Sequence, residues 1–184
     1  MRIILWLSFL TIVSCALLAQ EQSPTAEGTP TFREPFTLKL RVDKQHYYEQ
    51  HFDKVPYVAG SDVYLFVGDH FGVNFTDTKA EFLTVAYQPD SGKADILFAF
   101  TQETDGQGNP MMLLSVQNKL NRGFSYVAIM TVPTKKEIIK THVLHVEARL
   151  SNFESWPHPI VKLVLRDFRF SDSPAKGALS TTSK

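Results

Sequence analysis

Pro35-Phe36-Thr37-Leu38-Lys39-Leu40-Arg41-Val42-Asp43 decides the fold. Phe36, Leu38, Leu40 and Val42 alternate with Thr37, Lys39, Arg41 and Asp43. Successive side chains of a strand point to opposite faces, so a two-residue period marks a strand buried on one side. The same period, or a short β-branched and aromatic run, recurs downstream at Val63–Val67, Phe82–Tyr87, Ala94–Phe100, Met111–Val116, Phe124–Val132, His142–Leu150 and Ile160–Phe170. The last run changes phase between Leu165 and Phe168, the signature of a β-bulge.

Turn residues separate these runs. Gln88-Pro89-Asp90-Ser91-Gly92-Lys93 reads as the turn of a hairpin joining its two neighbours. Asp105-Gly106-Gln107-Gly108-Asn109-Pro110 and Asn121-Arg122-Gly123 are further turns. Helical periodicity is confined to two short candidates, Lys44–Lys54 and Thr134–Lys140. The expectation is an all-β chain, an antiparallel β-sandwich of about eight strands with an immunoglobulin-like or a transthyretin-like topology. Its core should include Phe36, Leu38, Leu40, Val63, Leu65, Phe82, Val85, Phe98, Leu114, Tyr126, Ile129, Leu144, Val146, Leu163 and Leu165.

Outside this block the composition changes. Gln20–Glu34 is polar and small, with Pro24, Gly28 and Pro30, and reads as a flexible tether. Ser171–Lys184 is similar and reads as a disordered tail. Upstream, Arg2 precedes an apolar run from Ile3 to Leu18 that ends in small residues. A basic start, an apolar run of this length and a small-residue end make residues 1–19 a secretory signal. The domain plan is thus signal 1–19, tether 20–34, one sandwich 35–170 and tail 171–184.

Two processing sites are compatible with that signal. Ala19 followed by Gln20 suits ordinary cleavage. Ile12-Val13-Ser14-Cys15 has the pattern of a bacterial lipobox, in which the Cys15 thiol would be acylated and tether the chain to a membrane. Cys15 is the one cysteine among 184 residues. Cut away with the signal, it leaves a domain with no disulfide, no thiolate metal site and no catalytic thiol, held by core packing alone.

Charge narrows the partners. Nineteen basic and 19 acidic residues balance to zero, so there is no electrostatic footprint for nucleic acid. No nucleotide-binding glycine loop, zinc-protease helix or nucleophile elbow occurs. The chain reads as an exported, non-enzymatic domain of a periplasm, cell envelope or extracellular space, with another protein of that compartment as partner and no cofactor.

Four places could carry chemistry. Asp43–Asp53 is the densest polar cluster, and His46 and His51 in it are the candidate metal or small-ligand residues. Five residues apart, they share neither a helical face nor a strand face; an exposed loop explains them equally. His142 and His145 would lie on opposite faces of a strand. Asp69 and His70, between Gly68 and Gly72, form an acid–histidine pair without a nucleophile, in what reads as a turn. Trp156-Pro157-His158-Pro159 is a rigid corner. There Trp156 and His158 are candidate partner anchors, or Trp156 closes the end of the core. Asn74-Phe75-Thr76 matches a glycosylation sequon.

Overall fold

A computed structural model describes residues 30–133 and 138–171. The expected signal, with Cys15, lies outside the described residues, as do residues 172–184. The described part is all β, with twelve strands in three antiparallel sheets and no helix. The strands are β1 (Phe36–Arg41), β2 (Tyr47–Phe52), β3 (Val58–Ala59), β4 (Asp62–Leu65), β5 (His70–Thr76), β6 (Thr84–Gln88), β7 (Ile96–Thr104), β8 (Pro110–Asn118), β9 (Phe124–Thr131), β10 (Ile139–Thr141), β11 (Ser151–Trp156) and β12 (Lys162–Phe170).

Two five-stranded sheets have the orders β10-β9-β12-β4-β3 and β11-β8-β7-β5-β6. Each presents an apolar inner face. Leu163, Leu165, Met130, Ala128 and Val63 come from the first, and Phe98, Phe100, Leu114, Val116 and Val73 from the second, all buried. Aromatic pairs join the two faces: Phe75 of β5 meets Phe124 of β9 at 5.1 Å, and Phe98 of β7 meets Phe168 of β12 at 6.5 Å. This is the arrangement of a β-sandwich.

The third sheet is the hairpin β1–β2, docked by its inner face. Leu38 and Leu40 are buried, and Phe36 and Phe52 pack with Phe66 at ring separations of 4.9–5.3 Å. The Gln102 side chain on β7 completes the join. Its Oε1 accepts from the Arg41 N–H at 2.8 Å, and its Nε2 donates to the Arg41 carbonyl at 2.9 Å. One amide side chain thus serves the exposed backbone of β1 as a neighbouring strand would.

Several expectations need correction. There are twelve strands instead of about eight. Lys44–Lys54 contains the strand β2 (Tyr47–Phe52) instead of a helical turn, and Ile139–Thr141 is the strand β10; residues 134–137 lie outside the described residues. β6 and β7 are not a hairpin: β5 lies between them and pairs with both. Residues 142–150 form no strand, and only Val146 bridges to Phe124. Val146 is buried, but Leu144 is exposed and Ile129 points outward, between the inward Ala128 and Met130. The predicted bulge is there: the pairing of β12 with β9 shifts between Arg166 and Arg169.

The packed unit also begins earlier than Pro35. The Arg33 N–H donates to the Val55 carbonyl at 2.9 Å, and the Tyr57 N–H to the Thr31 carbonyl at 3.0 Å. Residues 31–33 are therefore held by the domain.

A candidate partner-binding seam between β10 and β11

β10 and β11 are edge strands of opposite sheets, and the chain between them runs along the seam where the sheets meet. Trp156, the last residue of β11, reaches across it. Its ring is buried, and its Nε1–H donates to Thr141 Oγ1 at 3.1 Å. The position is that of a tryptophan closing the core; it supports the seam from beneath.

The segment leading into β11 is fixed by Asn118, which is buried and fully bonded. Its Nδ2 donates to the carbonyls of Arg122 at 2.8 Å and Glu147 at 2.9 Å, and its Oδ1 accepts from the Leu120 N–H at 2.9 Å. A buried amide with every group satisfied specifies one loop geometry. The Asn118 N–H also donates to the Leu150 carbonyl, and Arg149, at φ 62°, turns the chain there. Further along, the Glu154 carboxylate accepts from the Leu144 N–H at 2.6 Å, and Asn152 Nδ2 donates to the Leu144 carbonyl at 3.4 Å. These side chains cover the open edge of β11.

Large apolar side chains stand exposed along this stretch, from just before β10 into β11. Ile138 is 73% exposed, Leu144 64%, Leu150 58% and Phe153 62%. Phe153 lies opposite Ser115 on the outward face of β11, flanked by Ser151 and Ser155. Of the six large hydrophobic side chains exposed among the described residues, these four fall between residues 138 and 153; Phe32 and Tyr47 are the others. Beneath the seam the Tyr126 hydroxyl is buried without a hydrogen-bond partner. Burial, with the Glu154 carboxylate nearby, pushes its pKa up.

Elsewhere, three segments singled out in the sequence converge. The β1–β2 turn (Val42–His46), Asn109 and Pro110 of the β7–β8 turn, and Pro157 line an open depression of about 550 Å³. His46 Nδ1 sits 2.8 Å from the Asp43 carboxylate, which also accepts from the N–H groups of Gln45 and His46. These bonds draw the Asp43 pKa down to about 2. A carboxylate that caps a turn in this way stays ionised through the whole range where a free aspartate protonates. Its contribution to stability is fully present above the ordinary aspartate pKa and is lost progressively as pH falls from there through about 2. A carbon-detected NMR titration should place its midpoint near 2, and His46→Ala should move it upward; a midpoint at the ordinary carboxylate value would show that the turn is open in solution.

His51 takes no part in that depression. On the hairpin's outer face, its Nδ1 is 3.2 Å from Thr37 Oγ1 and its Nε2 is 3.3 Å from Asp53. No group of three or more His, Cys, Asp or Glu side chains among the described residues is gathered so as to hold a metal. His158 follows the corner, with Nδ1 buried and unpartnered. His145 contacts Ser171 Oγ at 3.2 Å, over Gly123. Asn74 accepts from the Asp95 N–H at 3.0 Å in the middle of its sheet, between β6 and β7.

Asp69 has a partner that the sequence did not point to. Arg33 Nε and Nη2 hold its two oxygens at 3.2 and 2.6 Å, and Nη1 and Nη2 also donate to the carbonyls of Pro56 and Tyr64 at 2.6 Å each. The guanidinium lies 4.1 Å from the centre of the Tyr57 ring. The group is structural: it ties the N-terminal segment to the sandwich, and His70 is not its partner.

No protein-family model, curated protein or solved structure matches the chain.

Proposed function

We propose that this chain is an exported, non-enzymatic β-sandwich that binds another protein of the cell envelope or extracellular space through the β10–β11 seam. The observation that carries the reading is that four of the six exposed large hydrophobic side chains among the described residues, Ile138, Leu144, Leu150 and Phe153, lie on the one stretch of chain that runs from β10 to β11, each more than half exposed. Scattered surface hydrophobes need no explanation, but grouped ones mark interaction sites. Two of the four stand on main chain fixed by Asn118, Asn152 and Glu154, and Phe153 on a paired strand. Such a surface loses little conformational freedom on binding, which favours affinity. Export rests on the apolar segment of residues 3–18.

The test is site-specific photocrosslinking in the native host. A photoreactive residue replacing Phe153 or Leu144 should yield a discrete protein adduct, whereas one at Ala86, on the far edge strand β6, should not. The reading fails if the seam positions give no adduct, or if Ala86 gives the same one. It fails equally if Phe153→Asp with Leu144→Asp leaves the adduct formed from Leu150 undiminished.

A further inference from the structure

We propose that two copies of this chain pair edge to edge along β2, antiparallel about a two-fold axis at Gln50, making the β1–β2 sheet four-stranded. Among the described residues β2 is bonded to β1 alone. An open edge offers a row of unpaired main-chain groups to another strand, and proteins ordinarily block it with lysine, proline, a bulge or a covering segment. The edge of β11 is covered in this way by Glu154 and Asn152. β2, Tyr47-Tyr48-Glu49-Gln50-His51-Phe52, contains no lysine or proline, and its register with β1 is unbroken.

The bonds around the turn show which main-chain groups face outward. The Val42 N–H donates to the His46 carbonyl, whereas the N–H and C=O of Arg41 turn away from β2 to the Gln102 side chain. In an antiparallel pair hydrogen-bonded and non-hydrogen-bonded positions alternate. Tyr48, Gln50 and Phe52 are therefore bonded to β1, and Tyr47, Glu49 and His51 direct their N–H and C=O groups to the open edge.

Side chains then choose the register. Centring the pair on Glu49 would set that carboxylate against its own copy, and centring it on His51 would set Glu49 against Asp53; like charges in direct opposition destabilise a sheet. Centring on Gln50 sets Glu49 opposite His51 of the other copy on one face. On the other face it sets Tyr48 opposite Phe52 and amide opposite amide. A carboxylate meets an imidazole on one face and ring meets ring on the other, and the open-edge groups of Glu49 and His51 meet in hydrogen-bonded pairs. This surface is distinct from the β10–β11 seam and does not depend on it.

Sedimentation equilibrium of the full chain over a dilution series tests the pairing. A reversible monomer–dimer equilibrium is expected. His51→Glu sets two carboxylates opposite each other and should weaken it roughly tenfold or more, while adding Glu49→Lys to that variant sets lysine against glutamate and restores it. In a Cys15→Ser background, Gln50→Cys should form an intermolecular disulfide, because a non-hydrogen-bonded pair on the axis sets its Cα atoms about 4.5 Å apart, within bonding range. Thr37→Cys, on β1, should not. A monomer mass at every concentration overturns the proposal. So does a dimer that His51→Glu leaves intact, since the copies then associate elsewhere, or a double variant that stays as weak as His51→Glu alone.

Discussion

Arg33→Ala should cost about 3–5 kcal/mol of folding free energy in chemical denaturation, the range for breaking a buried ion pair by removing one partner. Arg33 is 7% exposed, and its guanidinium donates to the Asp69 carboxylate and to two main-chain carbonyls. Without it, Asp69 keeps only the Phe66 N–H, at 2.7 Å, against a negative charge in a largely apolar setting of Tyr57, Phe66 and Phe71. Arg33→Lys should restore little, since a lysine is a point charge without the planar fork that grips both oxygens. Arg33→Met combined with Asp69→Asn should recover much of the loss, because the uncompensated charge is the costly part. Trimming the chain to start at Pro35 removes the same anchor and should destabilise it comparably. A loss below about 1 kcal/mol would put the pair in the class of surface ion pairs and show that the cage does not form in solution.

The cage also shows what a sequence can reveal. β1, β8, β9 and β12 are legible because each buries one face and exposes the other, so burial writes itself as a two-residue period. β2 carries no such record. Most of its side chains are exposed on both faces, and nothing in Tyr47–Phe52 alternates. β5 was obscured by Gly72, read as a turn residue, yet Gly72 sits mid-strand because a Cβ there would come within 2.2 Å of Ala94 Cβ. A strand glycine can mark close approach as well as a bend. The supposed hairpin of β6 and β7 failed for a different reason. The turn at residues 88–93 is genuine, but local turn chemistry does not say whether the strands on either side of it pair.

The candidate sites divide along the same line. The Asp43–His46 cap is local, four residues long, and was visible as a cluster. Arg33 and Asp69 are 36 residues apart and neither lies in a periodic run, so no local signal joins them. At the seam, the alternation His142, Leu144, Val146, Ala148 and Leu150 suggested one buried face. Asn118, Asn152 and Glu154 instead bind the main chain of residues 144–150 away from strand geometry, leaving Val146 inside and Leu144 and Leu150 outside. Long-range side-chain bonds overrode a local pattern.

Phe168→Ala should be the costliest single truncation tested in the core, at about 3–5 kcal/mol. The Phe168 ring is fully buried and lies 5.1 Å from Phe75, 6.5 Å from Phe98, 6.2 Å from Phe124 and 5.7 Å from Tyr126. It therefore touches aromatic side chains from both sheets. It reaches that place only through the bulge. Leu163 and Leu165 point inward at odd positions; continued unbroken, that phase would turn Asp167 and Arg169 into the core. The shift between Arg166 and Arg169 moves the inward phase to Phe168, with Asp167 at φ 57° absorbing the extra residue. Two kinds of cost can then be separated. Asp167→Ala removes no packing but asks a Cβ-bearing residue without a local hydrogen-bonding side chain to hold a left-handed conformation, a cost of about 1 kcal/mol. Asp167→Gly should be no worse than wild type by more than about 1 kcal/mol. Phe168→Leu, which keeps most of the volume, should recover more than half of the alanine loss. If Phe168→Ala instead cost no more than Asp167→Ala in the same denaturation series, the bulge would be serving the backbone alone, and the aromatic contact across the two sheets would not be what holds them together.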